Sequence, residues 1–411
     1  MSEVIKKQIC AFLDTLPITT GGVVGVAVSG GADSLALVLN LAEVAAIYRL
    51  TIRAVTVDHG LRAESADEAA AVHTLLMRQG IDHTTLCWTG VKPTTRIEEK
   101  AREKRYELMC RWCKENQISI LLLAHHLGDQ AETFWARLAH STGPDGLGAI
   151  PALGQRDGVL LGRPLLRVDK AALIADLNAR QIPWAEDTMN QDESFERVQW
   201  RKRQTQLSEY GLTPRVIGKV AERLQQARQA LDFYTDRFVA ALVDRAPEGY
   251  ITLQQRAFEA LPIEIRRRVI NRLLQEMGGQ KRPVALEALE KWIADSPKKA
   301  TLNGCVIIRK GGLIFLAREA GRMAPDKVIP PNRLTTWDRY RILSSCPIEI
   351  SHGGAPTDKK LPYPVRQALP YVRCAGSIRV SFIKKDEKEL EKKFALDYKR
   401  NKGDIVYIQF V

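Results

Sequence analysis

The chain has 411 residues, of which 45% are hydrophobic and 27% are charged, enough for two or three ordinary globular domains. Its formal net charge of +13 favours a polyanionic partner such as a nucleic acid. No apolar run is long enough to span a membrane, and the N-terminus lacks an apolar signal core. We therefore expect a cytoplasmic protein whose seven cysteines are reduced thiols.

The N-terminal half alternates strand and helix patterns. A short amphipathic helix is predicted within residues 1–17, and residues 21–45 follow as an apolar strand, a turn and a helix. Further strands are predicted at 50–61, at 83–88 and from 118, and further helices at 65–80, at 95–117 and up to 138. This alternation predicts an α/β fold with a doubly wound, mostly parallel sheet.

Polar side chains follow three of the predicted strands. Residues 29–34 follow the first strand, Asp58 and His59 follow the second, and residues 125–132 follow the last. Ligands of such sheets bind outside the carboxyl ends of the strands, so we expect these three groups to meet at one site.

The sequence SGGADS at residues 29–34 joins the first strand to a helix. It lacks the lysine of a kinase-type P-loop and the GxGxxG spacing of a dinucleotide-binding loop. Backbone N–H groups at a helix N-terminus suit an anion such as pyrophosphate, and Asp33 beside that anion predicts an intervening Mg²⁺ ion. A tight turn in which Ser34 or Asp33 only caps the helix is the simpler alternative.

The SGGADS loop resembles the SGGxDS loop of the PP-loop ATP pyrophosphatases, whose fold is adenine nucleotide alpha hydrolase-like. Further stretches are similar, in order and spacing, to the tRNA(Ile)-lysidine synthetase family. They are VDHGLRAES (57–65), EEKAREKRYELM (98–109), AHHLGDQAET (124–133), GPDGLGAIP (143–151), RPLL (163–166) and WAEDTMNQDESFERVQWR (184–201). The resemblance is close over residues 20–205 and diffuse beyond them.

The resemblance implies a reaction. Members of that family adenylate the carbon-2 oxygen of the wobble cytidine in a tRNA(Ile) with a CAU anticodon, and the ε-amine of free lysine then displaces AMP to leave lysidine. We therefore expect a ligase that uses ATP and Mg²⁺ and releases AMP and pyrophosphate. The expected partners are that tRNA and free L-lysine, with no membrane. Whether the chain forms a homodimer is left open.

The resemblance also implies roles for individual residues. The expected catalytic residues are Asp33, Asp129 and His126, with Mg²⁺ held by Asp33 and Asp129. The expected ATP-binding residues are Ser29, Gly30, Gly31, Ala32, Asp33, Ser34, Asp58 and His125. The expected tRNA- or lysine-binding residues are Arg62, Glu98, Arg102, Arg105, Glu132, Asp187, Asn190, Arg197 and Arg201. A solvated surface is the alternative for Arg62 and for the charged helix face at 98–106. For His125 and His126 the alternative is a helix N-terminus satisfied by hydrogen bonds, without contact with substrate.

Two positions depart from the family's pattern. The family has two consecutive aspartates after its paired histidines, where this chain has Gly128 and Asp129. The family also has an Arg-Asn pair where this chain has Arg197 and Val198. Any function of the first aspartate or of the asparagine is therefore missing here, whereas the phosphate loop is intact.

Two other functions remain alternatives. Some PP-loop relatives thiolate tRNA, and Cys110 and Cys113 form a CxxC, but this motif lies in a predicted helix and no second CxxC follows it. A catalytically degenerate RNA-binding protein would account for Gly128 and Val198. It would not account for an intact phosphate loop that keeps Asp33.

The C-terminal half has a different pattern. We expect a catalytic domain at 1–205, a mainly helical tRNA-binding domain with a terminal hairpin at 206–320, a linker at 321–333 and a small α+β domain at 334–411. Helices with basic outer faces are predicted at 214–245, 262–279 and 282–299, and such faces suit RNA phosphates. Residues 300–319 predict a hairpin that turns at Lys310-Gly311-Gly312.

Overall fold

The computed structural model describes residues 2–16, 21–61, 64–90, 92, 95–185, 196–279, 284–352, 361–374, 378–383 and 404–410. The chain divides into two compact units, residues 1–228 and residues 229–411. Within the described ranges, no helix is both long enough and apolar enough to cross a membrane.

The first unit contains the alternating strands and helices that the sequence predicts up to residue 138, followed by elements of which only the last helix was predicted. In chain order they are α1 (Ser2–Leu13), β1 (Val23–Ala27), α2 (Ala32–Tyr48), β2 (Thr51–Asp58), α3 (Ser65–Arg78), β3 (Asp82–Cys87), α4 (Ile97–Glu115), β4 (Ile120–Leu122), α5 (Leu127–Ala139), α6 (Pro144–Leu147), β5 (Leu153–Arg156), β6 (Val159–Gly162), α7 (Lys170–Ala179), α8 (Glu196–Glu209) and the start of α9 (Pro214–Leu242). The amphipathic pattern near the N-terminus is confirmed as α1, whose apolar face is buried.

A six-stranded sheet organises this unit, with the strand order β3-β2-β1-β4-β6-β5. Its neighbouring strands pair in parallel, apart from β5, which runs antiparallel to β6. The prediction of a mostly parallel sheet is confirmed. Because the chain order reverses beside β1, the crevice between the carboxyl ends of β1 and β4 is the place where such a sheet binds ligands.

Apolar side chains cover both faces of the sheet, so the fold is doubly wound. Val24 and Val26 of β1 pack in one cluster with side chains of α1, α2 and α7. Val23 and Ala27, which alternate with them along the strand, pack in a second cluster with Trp112 and other side chains of α4. Burial on both faces explains why β1 is apolar at every position.

The second unit combines helices with antiparallel sheets. Besides the end of α9, its elements are β7 (Val243–Arg245), β8 (Ile251–Gln254), α10 (Gln255–Glu259), α11 (Ile263–Gly278), α12 (Leu286–Asp295), β9 (Lys299–Leu302), β10 (Cys305–Lys310), β11 (Leu313–Arg318), β12 (Lys327–Ile329), β13 (Thr335–Trp337), β14 (Tyr340–Ser344), β15 (Ile348–His352), α13 (Tyr363–Gln367), β16 (Pro370–Arg373), β17 (Ile378–Ile383) and β18 (Asp404–Phe410). The predicted hairpin is confirmed as the antiparallel pair β10 and β11.

This unit contains more sheet than the sequence predicts. The hairpin belongs to a five-stranded sheet with the order β7-β8-β11-β10-β9. The added strands have only three or four residues each, too few to show a strand period in the sequence. The segment expected to be a linker also contains a strand, β12, which pairs with β15. Burial of its Ile329 side chain stabilises this strand.

Candidate active site

The SGGADS loop turns sharply from β1 into α2. Gly30 has a φ of +86°, which favours glycine, and a Cβ at this position would lie 3.0 Å from Cγ2 of Val72. The Ser34 hydroxyl donates to the carbonyl of Gly31 at 3.0 Å and accepts the N–H of Ser29 at 3.1 Å. The loop is therefore folded onto itself, and it ends at the N–H groups that open α2.

Asp33 lies in the first turn of α2, close to the start of α5. Its Oδ2 is 3.6 Å from Nε2 of His126 and 3.8 Å from Nζ of Lys170. Its Oδ1 is buried, and no group in the described part of the chain forms a hydrogen bond with it. Burial of a carboxylate oxygen in this way is costly, so the position suits a cation that arrives with a ligand.

His125 and His126 lie between β4 and α5, and His126 is the N-cap of α5. Its Nδ1 accepts the N–H of Gly128 at 2.9 Å, and the Asp129 carboxylate accepts the N–H of His126 at 2.9 Å. These reciprocal bonds form a capping box with a histidine in the place of the usual serine or threonine. The box holds the imidazole so that Nε2 faces Asp33.

A cavity of about 370 Å³ lies over the loop, a volume typical of small-molecule sites. The predicted site residues that line it are Ser29, Gly31, Asp33, Ser34, Asp58, Arg105 and His125. Other lining residues include Thr56, His59, Glu68 and Tyr106. All three polar groups that follow the strands therefore contribute to one cavity, as the sequence predicts.

His59 forms an uncharged aromatic part of the cavity wall. Burial, helped by the positive charges of Arg105 and Lys92, lowers the pKa of His59, so its ring is neutral near pH 7. The ring meets Trp88 edge-on, with the two ring centroids 6.0 Å apart. This wall suits a nucleobase or ribose better than a phosphate.

Arginines surround Tyr106 of α4, which is 4% exposed. Its ring centroid is 5.4 Å from the guanidinium carbon of Arg102, 6.0 Å from that of Arg105 and 4.6 Å from that of Arg156. Burial lowers the pKa of Arg163 despite its hydrogen bond to Tyr106. The cluster places concentrated positive charge beside the cavity, where it suits phosphate groups.

Glu132 and Arg201 join α5 to α8. Nε of Arg201 donates to Oε1 of Glu132 at 2.7 Å, and the side chain of Glu132 is only 5% exposed. Burial by itself lowers the pKa of Arg201, but the bond to Glu132 and the charges of Glu132, Asp129 and Asp33 raise this pKa above its usual value. Arg201 and Glu132, both predicted as site residues, therefore lie in an acidic region that includes Asp33 and Asp129.

Some predicted residues cannot be compared with the structure, and some residues of the site were missed. Arg62, Asp187 and Asn190 lie outside the described residues, as do the side chains of Glu98 and Arg197.

Lys170 was missed because no local pattern marks the first residue of α7 as part of the site. Arg163 of the RPLL motif forms a hydrogen bond with Tyr106, a contact that the motif itself does not predict. Val198 is buried in α8, so the departure at this position has a packing role.

The CxxC motif lies within α4. Cys110 and Cys113 are both buried, and burial raises the pKa of Cys110 and raises that of Cys113 to about 12. In the described part of the chain, no group of three or more His, Cys, Asp or Glu side chains could hold a metal ion. The two thiols are core residues, which removes the main support for a thiolation enzyme.

Comparison with known proteins identifies the family of the chain. Residues 1–207 match the family model described as a PP-loop domain, so the first half of the chain is a PP-loop domain. Beyond that class, the chain belongs to the tRNA(Ile)-lysidine synthase family. It is 38% identical over 322 residues to the tRNA(Ile)-lysidine synthase of Ruegeria pomeroyi, a match that covers 78% of this chain and 76% of that protein.

Other matches include a second named synthase and a solved structure. The tRNA(Ile)-lysidine synthase of Bradyrhizobium sp. is 37% identical over 343 residues, covering 77% of this chain and 93% of that protein. The solved structure of the U34-tRNA thiolase NcsA from Methanococcus maripaludis superposes with a TM-score of 0.48 at 17% identity, covering 55% of this chain and 78% of that chain.

Proposed function

We propose that this chain is an ATP-dependent ligase that joins lysine to carbon 2 of the wobble cytidine in a tRNA(Ile) with a CAU anticodon. ATP is cleaved to AMP and pyrophosphate in the process. Membership of a PP-loop family supports ATP as the nucleotide, and the names of the relatives support tRNA(Ile) and lysidine as substrate and product. The proposal rests above all on the cavity over the SGGADS loop, which combines phosphate-binding N–H groups with Asp33 and Arg105.

The residues of the loop have a direct part in this reaction. The cytosine oxygen is a poor leaving group until it is adenylated, so the site must stabilise negative charge on the α-phosphate and on the pyrophosphate. The N–H groups at the start of α2 and the hydroxyl of Ser29 are suited to those oxygens. Arg105 lines the same cavity and adds a positive charge. The neutral ring of His59 and the adjacent Asp58 suit the adenine and ribose.

Of the two carboxylates expected to hold Mg²⁺, Asp33 suits the ion best. The buried Oδ1 of Asp33 has no hydrogen-bond partner in the described ranges, and it suits a cation that is shared with phosphate oxygens. Asp129, the second expected ligand, lies in the first turn of α5, where one of its carboxylate oxygens accepts the N–H of His126. When bound, Mg²⁺ would supply Lewis-acid stabilisation of charge on the phosphates.

Lysine and tRNA require different surroundings. Lysine must attack as a neutral amine, so a carboxylate that accepts its proton is needed near the adenylated base. Glu132 and Asp129 are the candidates, because both lie on the first turns of α5 near Asp33. The arginines around Tyr106 suit the tRNA backbone. We further propose a cytoplasmic location, where free lysine and tRNA are both present.

Single-turnover assays would test this function. Wild-type protein with Mg²⁺, ATP, radiolabelled lysine and unmodified CAU-anticodon tRNA(Ile) should transfer label to the tRNA and form AMP. Asp33→Asn should slow both reactions by about 100-fold or more, because it removes charge stabilisation at the phosphates. Asp295→Asn, an exposed carboxylate at the end of α12, is the matched control and should react like wild type. Wild-type protein that forms AMP without labelling tRNA would refute the proposal.

A further inference from the structure

The excess positive charge of the chain lies almost wholly in the second unit. Residues 1–228 contain 28 Lys and Arg and 27 Asp and Glu, whereas residues 229–411 contain 33 Lys and Arg and only 21 Asp and Glu. The first unit, which holds the candidate active site, is therefore close to neutral. A polyanionic partner is attracted mainly to the second unit.

Two neighbouring aromatic side chains of the second unit are exposed on α9. Phe233 is 56% exposed and Tyr234 is 63% exposed, and their rings meet edge-on with centroids 5.7 Å apart. The other side of the helix is buried, because Phe238 and Val239 pack in the core of the unit. A single exposed aromatic residue is ordinary, but an adjacent pair outside the core indicates a surface that contacts a partner.

Arg237 completes this surface. It follows Phe233 by one helical turn, and its guanidinium carbon lies 5.6 Å from the centroid of the Phe233 ring. Within the described residues Arg237 forms no ion pair, whereas the adjacent Asp236 is paired with Arg272 of α11. Phe233, Tyr234 and Arg237, here called the α9 aromatic surface, therefore combine two exposed rings with an unpaired positive charge.

Aromatic rings beside an arginine suit a nucleic acid that is not base-paired. The flat face of a base stacks on an aromatic side chain, and a guanidinium contacts the adjoining phosphate. Bases inside a duplex are already stacked on each other, so they do not reach such rings. A second copy of the chain is a poorer occupant, because both copies would bring a positively charged unit to the contact.

We propose that the α9 aromatic surface binds unpaired nucleotides of the tRNA, with a base stacked on Phe233 or Tyr234 and with Arg237 in contact with the adjoining phosphate. The inference deepens the proposed function and rests on it for the identity of the RNA. A tRNA has unpaired nucleotides in its loops and at its 3′ end, and both offer the same chemistry. The surface adds a binding site in the second unit to the site residues of the first.

Equilibrium binding of labelled, unmodified CAU-anticodon tRNA(Ile), without ATP or lysine, tests the stacking. Phe233→Ala with Tyr234→Ala should raise the Kd for tRNA about 10- to 100-fold, as expected when a base loses its stacking partner. Phe233→Leu should weaken binding nearly as much as Phe233→Ala, because leucine is apolar but has no aromatic face, whereas Phe233→Trp should bind like wild type. Leu286→Ala is the matched control, because Leu286 is a 45% exposed apolar residue of the same unit, and it should also bind like wild type.

The replaced side chains are exposed, so the unfolding midpoints of these variants should equal that of wild type. This measurement separates lost stacking from lost folding. Arg237→Gln should reduce the slope of log Kd against log salt concentration by about one, because one phosphate contact is lost. The double aromatic variant should keep the wild-type slope.

Three RNAs locate the stacked nucleotides. A fully paired RNA duplex with blunt ends should bind the double aromatic variant and wild type equally, because it has no unpaired base. The isolated anticodon stem-loop and a tRNA without its unpaired 3′ nucleotides distinguish the loop from the 3′ end. The RNA that lacks the stacked nucleotides should bind both proteins equally.

Three results would overturn the inference. They are wild-type affinity of the double aromatic variant for tRNA, wild-type affinity of Phe233→Leu, and an equal loss of affinity for the paired duplex. In the first case, a loss of self-association in sedimentation would assign the surface to a second copy of the chain. Binding needs neither ATP nor lysine, so wild-type protein that binds tRNA through these rings but transfers no lysine would refute the proposed function and leave this inference standing.

Discussion

Replacing Arg201 with methionine should destabilise the first unit by about 2 kcal/mol, because the change removes a short hydrogen bond from a buried carboxylate. Methionine keeps most of the length of the arginine stem, so the loss is mainly of charge and hydrogen bonding. The measurement is urea-induced unfolding at neutral pH, followed by a signal from the first unit.

The magnitude follows from the unequal burial of the two partners. Breaking a fully buried ion pair costs about 3–5 kcal/mol, whereas an exposed pair contributes about 0–1 kcal/mol. The side chain of Glu132 is 5% exposed but that of Arg201 is 39% exposed, so water reaches one side of the pair and the cost lies between these limits. Adding Glu132→Gln to Arg201→Met removes the buried negative charge that Arg201 faces and should restore at least half of the lost stability.

The matched control is Arg228→Met. Arg228 and Asp145 form a longer contact of 3.9 Å, and their side chains are 50% and 43% exposed. This variant should lose less than about 0.5 kcal/mol. Equal unfolding midpoints for Arg201→Met and wild type would refute the reasoning, as would a double variant that is no more stable than Arg201→Met alone.

Three other changes test separate parts of the account. Gly30→Ala should lower the free energy of unfolding by about 1–3 kcal/mol and weaken ATP binding, because φ of Gly30 is +86° and the added Cβ would lie 3.0 Å from Cγ2 of Val72. An affinity for ATP equal to that of wild type, measured by calorimetry, would contradict this prediction. Burial and the neighbouring His73 lower the pKa of His83 from 6.5 to about 4 in the folded protein. Between pH 6.5 and pH 4 the imidazole is therefore protonated in the unfolded chain but not in the folded one. The free energy of unfolding should fall over this range as the pH is lowered, by at most about 3 kcal/mol. Denaturant titrations should show that His83→Gln loses this pH dependence, and an unchanged dependence would exclude His83 as its source. Cys110→Ala with Cys113→Ala should retain lysine transfer, and loss of transfer in a folded double variant would reopen thiol chemistry.

Local patterns predict much of this fold because its elements are amphipathic or uniformly apolar. Ile5 and Ile9 share one face of a helix in the sequence, and both are fully buried in α1. The strand β1 is apolar throughout because both of its faces are covered. The short strands β7 and β9 were missed, since three or four residues do not establish a period.

The site was only partly predictable, for a different reason. The SGGADS loop is local, so its glycines and Asp33 are visible in the sequence. The contacts of Asp33 with Lys170 and of Glu132 with Arg201 join residues far apart in the chain, and only the packing of helices brings them together. The departure at Gly128 looked like a missing acid, whereas the structure shows that the His126 ring fills the space of a side chain.

Mass analysis of the reacted tRNA tests the proposed ligase most directly. After incubation with ATP, Mg²⁺ and lysine, the CAU-anticodon tRNA(Ile) is digested with a guanosine-specific ribonuclease, and the anticodon fragment is sequenced by tandem mass spectrometry. The account predicts a wobble nucleoside with the mass of cytidine plus lysine less water. A wobble nucleoside with sulfur in place of oxygen, or an unmodified cytidine after ATP has been consumed, would contradict it.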